Sequence, residues 1–160
     1  MENSQPASEK PDEKSVGKKA DLGKRFIAMI IDVVITILVG FIPFIGGLIG
    51  AAYMLLRDGL NYEIMDHRSV GKKLMKLRPV TLDGRPVDIN VSIRRNWMFA
   101  LGGLVNVLFY IPILGWSLIP FVGITAFVLC IVELILVIVN EEGRRWGDKL
   151  AETKVIEVSE

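Results

Sequence analysis

Apolar and polar positions fall into blocks along this chain. Two long stretches, Phe26 to Leu56 and Trp97 to Val139, are almost free of charge: the first holds only Asp32 and the second only Glu133. Each exceeds the roughly 20 residues that cross a hydrocarbon core of about 30 Å. Each also carries proline and glycine near a point where a helix must turn, in GFIPFIGG around Pro43 and in IPILGWSLIP around Gly115. Proline removes a helical hydrogen bond and glycine permits turn dihedrals. The pattern predicts spans at about 24–41, 45–60, 97–114 and 118–139. The second keeps a rival reading as a half-depth re-entrant arm; as a span it places Arg57 in the interface with its guanidinium snorkelling to water. Trp116 fits an interfacial ring.

The blocks between the spans are polar. Residues 1–22 mix both signs of charge with two prolines and read as a disordered cytoplasmic tail, too hydrophilic for a packed core. That charged stretch is long and partly acidic, unlike a cleaved leader, so the first apolar segment reads as a retained anchor. The loop 61–96 contains MKLRPVTLDGRPVDINV, in which two short β-prone runs flank Asp83-Gly84, a pair suited to a type I′ turn. A small hairpin is expected there, with Pro79 and Pro86 confined to edge or strand-end positions. KVIEV, within the C-terminal segment 140–160, is a candidate third strand. The fold class expected is an all-α membrane protein with four transmembrane helices as two helical hairpins and a small cytoplasmic β-hairpin loop. Its membrane domain covers 23–158.

Charge then fixes orientation. All 19 Lys and Arg lie before the first span or at its start, between Arg57 and Arg95, or from Arg144 onward, and neither tight turn has any. The positive-inside rule therefore puts both termini and the central loop in the cytoplasm, in a multi-pass protein of the cell inner membrane. At 51% hydrophobic and 23% charged, with a net charge of +1, the composition excludes a strongly basic nucleic-acid binder on bulk charge. One cysteine, Cys130, permits neither an internal disulfide nor a thiolate metal cluster.

Ionisable groups inside spans are costly and mark candidate sites. Asp32 lies two helical turns, roughly 10 Å, beyond Arg25 on nearly the same face, too far for a relaxed direct pair. Its partner is expected from another helix or from the central loop, either as a structural latch or as a proton- or cation-binding carboxylate. Glu133 sits at similar depth, so the two could share a proton or cation, or each could meet a separate partner, with Asn106, Thr125 and Tyr53 available. The run HRSVGKKLMKLR, with Arg68, Lys72, Lys73, Lys76 and Arg78, suits contact with anionic lipid headgroups or a partner. His67 stands alone, so no metal site is expected. No serine or cysteine has a base beside it, so no enzyme and no cofactor are expected. Asp148, nine residues past the fourth span, is close enough to fold back onto Arg25 as an ion pair.

These residues carry a resemblance. GKRFIAMIIDVVI with Arg25 and Asp32, GKKLMKLRPV in the loop, and GRRWGDKLAETKVIEV with Asp148 stand in the order of the RDD family of small prokaryotic membrane proteins. The resemblance runs from about Gly17 to Val158. It implies Arg25, Asp32 and Asp148 as family positions and a membrane protein for which transport of an unidentified ligand, or cation or proton exchange, is suggested. Four short helices are too few to enclose a transport pathway, so transport implies a homo-oligomer; a non-transporting scaffold is the rival.

Overall fold

A computed structural model of the chain describes residues 18–158. Most of the tail expected over 1–22 lies outside them, but Lys19 bridges Ile156 and Ala20 is buried, so packed structure begins before the first helix. Asp21 then caps α1 (Leu22–Gly40), its side chain accepting from Lys24 N at 3.0 Å. After the Pro43 turn come α2 (Gly46–Leu56) and the one-turn α3 (Val70–Leu74), followed by strand β1 (Leu77–Thr81). Next are α4 (Ile89–Asn96), a 3-10 turn at Trp97–Phe99 and α5 (Ala100–Phe109). The chain closes with α6 (Leu114–Val139), α7 (Trp146–Leu150) and β2 (Thr153–Glu157).

The large helices pack in chain order, α1 on α2, α2 on α5 and α5 on α6. The two outer turns are joined by aromatics: the Phe44 and Tyr110 rings stand 5.2 Å apart, and Phe44 N donates to the Tyr110 hydroxyl at 3.1 Å. At the opposite end, α3, α4, α7 and the sheet gather the charged residues.

One described helix, α6, is long and apolar enough to cross a membrane. At 26 residues it is about 39 Å long, and none of its most apolar stretch is buried inside the protein. Large apolar side chains also face outward on α1 and in its turn, with Leu38 62% and Phe41 78% exposed. A soluble fold would cover such a surface. The other expected spans differ from the helices found. α2 has 11 residues and α5 has 10, about 16 Å and 15 Å, half a hydrocarbon thickness. The third expected span, 97–114, is displaced: helical structure already begins at Ile89 and ends at Phe109, where the chain turns through Ile113 at φ 65°.

The expected hairpin is also revised. β1 pairs antiparallel with β2, Leu77 opposite Glu157 and Thr81 opposite Thr153, so KVIEV supplies the partner strand. Across Asp83-Gly84 only the bridge Val80–Pro86 forms, and Gly84 alone has a positive φ in that turn, which excludes type I′. The returning run cannot extend because Pro86 lacks an N–H and Asp88 caps α4, accepting from Val91 N at 2.8 Å. Pro79 is tolerated in β1 because both strands of a two-stranded sheet are edges.

Candidate functional site

Asp32 is 1% exposed, and each of its oxygens is engaged. Oδ2 accepts from Arg57 Nη1 at 2.8 Å; Oδ1 accepts from the Tyr53 hydroxyl at 2.8 Å and from Gly71 N at 2.9 Å. Tyr53 and Arg57 are four residues apart, so α2 and its C-cap present both to the same neighbour. The Tyr53 hydroxyl also accepts from Val70 N at 3.2 Å, so one carboxylate ties α1 to α2 and to the start of α3. Arg57 is thus not snorkelling: it is 2% exposed, because a carboxylate one helix away supplies what water would have.

Glu133 has a parallel arrangement. Its Oε1 accepts from Gly147 N at 2.9 Å, while Oε2 has no hydrogen bond among the described residues, Arg145 Nε standing 3.9 Å away. Both glycines are required by close approach. A Cβ at Gly71 would lie 2.0 Å from Ala28 O, and one at Gly147 would lie 2.1 Å from Arg95 O. Gly147→Ala is therefore expected to push α7 off α4 and lower the melting temperature in detergent by several degrees, whereas Gly102→Ala, with open space at its Cβ, leaves it unchanged.

Between these two carboxylates lies an ionic lattice that sequence reading largely missed. Asp148 is fully buried and meets Arg25 Nη2 at 2.8 Å, Arg95 Nε at 3.0 Å and Arg145 Nε at 3.2 Å. The expected Arg25–Asp148 pair is present, with two further arginines on the same carboxylate. Asp58, also fully buried, pairs with Lys72 Nζ, accepts from Asn96 Nδ2 at 3.2 Å and lies 3.6 Å from Arg95 Nε. Arg95 thus stands between the two aspartates. Phe99 lies against two guanidiniums, 5.0 Å from Arg57 and 5.3 Å from Arg145. The one sequence cue was spacing: Ser92, Arg95 and Asn96 share one face of α4, and Ser92 Oγ donates to Leu55 O at 2.7 Å.

The loop cations separate into two groups. Arg68 and Lys72 do not face lipid: they are 2% and 9% exposed, Arg68 standing 3.1 Å from the partly exposed Asp66 and Lys72 drawn inward by the buried Asp58. Arg78 pairs with Asp66, Lys73 donates to Ile64 O, and Lys76 is exposed. Asp32 and Glu133 are not in contact. They line one chamber of about 960 Å³ among α1, α2, α5 and α6, with Arg25, Arg57, Lys72, Arg95 and Arg145 also on its lining. No group of His, Cys, Asp and Glu among the described residues is arranged to hold a metal.

Burial raises the Asp148 carboxyl, but Arg95, Arg145 and Arg25 outweigh it and hold the group well below the usual carboxylate range. A depressed folded-state value contributes stability that is present above the unfolded value, near 4, and is lost as pH falls toward the folded one. Melting temperature in detergent is expected to drop below about pH 4, and Asp148→Asn to flatten that drop. Burial conversely pulls the Lys72 ammonium below the ordinary lysine value, against the attraction of Asp58.

With this geometry in place, the family can be stated. The RDD family model matches residues 48–152, and the chain belongs to the RDD family, a membrane-associated group. No curated protein and no solved structure matches the chain.

Proposed function

We propose that this protein is a multi-pass protein of the cell inner membrane whose buried carboxylates hold its helices together rather than carry ions. Its four apolar segments enter the bilayer, with α6 crossing fully, and both termini and the ionic lattice face the cytoplasm. One observation carries the reading: both oxygens of Asp32 already accept from partners on α2, its C-cap and α3, and Arg57 supplies the positive charge that a bound cation would otherwise bring. The protein then acts as a scaffold that presents its cytoplasmic face to lipid headgroups or to a partner, and it does so without catalysis.

A second reading is favoured by a different residue. Glu133 is on the chamber lining, and its Oε2 is buried and lacks a hydrogen bond among the described residues. A carboxylate so placed suits a proton-coupled step, and in a homo-oligomer the chamber would lie on the pathway. Reconstituted vesicles under imposed proton, sodium or potassium gradients separate the two. The scaffold reading expects no protein-dependent flux, with Asp32→Asn losing stability only. Flux abolished by Glu133→Gln in a protein that melts like wild type decides for transport.

A further inference from the structure

α4 divides its surface three ways. Ser92, Arg95 and Asn96 turn inward to α2 and the ionic lattice. Asn90 and Arg94, four residues apart, are exposed and polar. Beside them runs an exposed apolar stripe, Ile89, Ile93 and the C-cap Trp97, spaced by four so that the three follow one another along one face. A helix on the surface of a soluble protein has two sectors, one against protein and one in water. A third sector, apolar and uncovered, suits a helix that lies at a membrane surface.

α6 sets the depth of this face. From Leu114 to Glu133 the helix climbs about 30 Å, one hydrocarbon thickness, and its last six residues continue beyond. Glu133 Oε1 accepts from Gly147 N at 2.9 Å, and Gly147 lies so close to α4 that a Cβ there would stand 2.1 Å from Arg95 O. With Leu114 at the outer boundary, the start of α7 and the last turn of α4 therefore stand where the hydrocarbon gives way to headgroups. Trp146, next to Gly147, is 44% exposed at that level, and Leu150 one turn on is 54% exposed. Trp116, exposed near the start of α6, holds the matching place at the outer boundary. α4 also runs through the 3-10 turn into α5 with no loop between them, so its stripe continues the apolar surface of a bilayer segment. The charges exposed on α4 and α7, Arg94 and Lys149, are both positive, whereas Asp148 is buried and the exposed acids Asp88 and Glu152 stand beyond the helix ends.

We propose that α4 and α7 form an interfacial anchor, seated in the headgroup–acyl boundary of the cytoplasmic leaflet. Ile89, Ile93 and Trp97, with Trp146 and Leu150, dip into the boundary; Arg94 and Lys149 meet anionic headgroups beside them. The occupant of this face is the lipid surface itself, because depth, continuity with α5 and the sign of the exposed charge all match it. Burying the apolar stripe there removes it from water and holds the ionic lattice level with the headgroups. This inference rests on the membrane-embedded reading above and names the surface through which the cytoplasmic face meets lipid: α4 and α7 rather than the loop cations.

The test uses the full chain in vesicles of phosphatidylcholine and phosphatidylglycerol, with Trp97→Phe and Trp116→Phe leaving Trp146 as the one tryptophan. Its emission is expected to be quenched by lipid brominated on the glycerol-proximal half of the chains, less by lipid brominated at the chain ends, and to be shielded from aqueous acrylamide. Quenching is expected to be weaker in phosphatidylcholine alone, and Arg94→Gln with Lys149→Gln to remove that difference; equal quenching of the unchanged helices in both lipids overturns the role given to the two cations. Free access of acrylamide with no quenching by lipid overturns the proposal. Shielding from both quenchers does so too, since the face is then covered by protein, as in a second copy of this chain. If the Phe variants fail to fold, a nitroxide on Leu150→Cys in a Cys130→Ser background decides: oxygen reaching it more readily than a nickel chelate supports the proposal, and the reverse overturns it. Trp116, kept alone by Trp97→Phe and Trp146→Phe, separates this failure from that of the membrane reading. Quenched by the same lipids, it leaves that reading standing; unquenched, it overturns both.

Discussion

Asp148→Ala is expected to be the most damaging single substitution in the described chain. It removes the carboxylate shared by three guanidiniums, leaving Arg25 without a carboxylate partner, Arg95 with only Asp58 at 3.6 Å and Arg145 with only Glu133 at 3.9 Å; the Arg95 side chain is 1% exposed and the other two 13%. Removing one partner of a buried pair costs about 3–5 kcal/mol because the charge left behind is neither solvated nor compensated. Here the charges left behind belong to α1, α4 and the cap of α7, so the C-terminal segment is expected to detach from the bundle. The measurement is yield and melting temperature in detergent, with Glu142→Ala as the control: its pair with Arg144 is solvent-exposed on the acid side and worth at most about 1 kcal/mol. Arg25→Ala and Asp148→Ala are expected to combine with much less than the sum of their separate losses. Additive losses would show that the two residues act independently.

The second large effect concerns Asp32 and Arg57, and here the sign of the double variant matters. Asp32→Asn keeps an oxygen for Tyr53 and Gly71 but leaves Arg57 without its counterion. Arg57→Met fills the stem volume but leaves the buried Asp32 charge without its cation, held only by the Tyr53 hydroxyl and the Gly71 N–H. Each single change is expected to cost about 3 kcal/mol or more. Together, Asn and Met form a neutral site in which both Oδ1 hydrogen bonds survive, so the double variant is expected to be more stable than either single one. Thermal unfolding of the four proteins in one detergent reads this directly. A double variant weaker than both singles would mean that Arg57 and Asp32 each serve some other partner.

The order of the helices was legible because it rests on local chemistry. Charge-free runs, the Pro43 turn and the placing of Asp32 and Glu133 can be read along the chain without knowing what packs on what. Arg25 and Asp148 were within reach because their position at the same membrane face follows from orientation. Helix lengths were less so: the turn at 110–113 ends α5 earlier than Gly115 suggested, and Asp88 starts helical structure inside what reads as loop. The lattice was hidden for a physical reason. Arg57, Asp58, Arg95 and Arg145 flank apolar segments and Lys72 lies in the polar loop, where a lone sequence makes charges look solvated. Only the tertiary fold turns them inward against one another. The second strand was visible as KVIEV, but its pairing with β1 across about half the chain length depends on α7 folding back to Glu133 and Arg95.

The claim that the two membrane-level carboxylates serve as anchors is read most directly at the amides they hold. Gly71 N and Gly147 N each donate to one of them, at 2.9 Å. Hydrogen exchange of these two glycine amides in detergent-solubilised protein is expected to be slow in wild type, with Asp32→Ala releasing Gly71 and leaving Gly147 protected, and Glu133→Ala doing the reverse. Exchange at the rate of an open loop at both glycines in the wild-type protein would contradict the account.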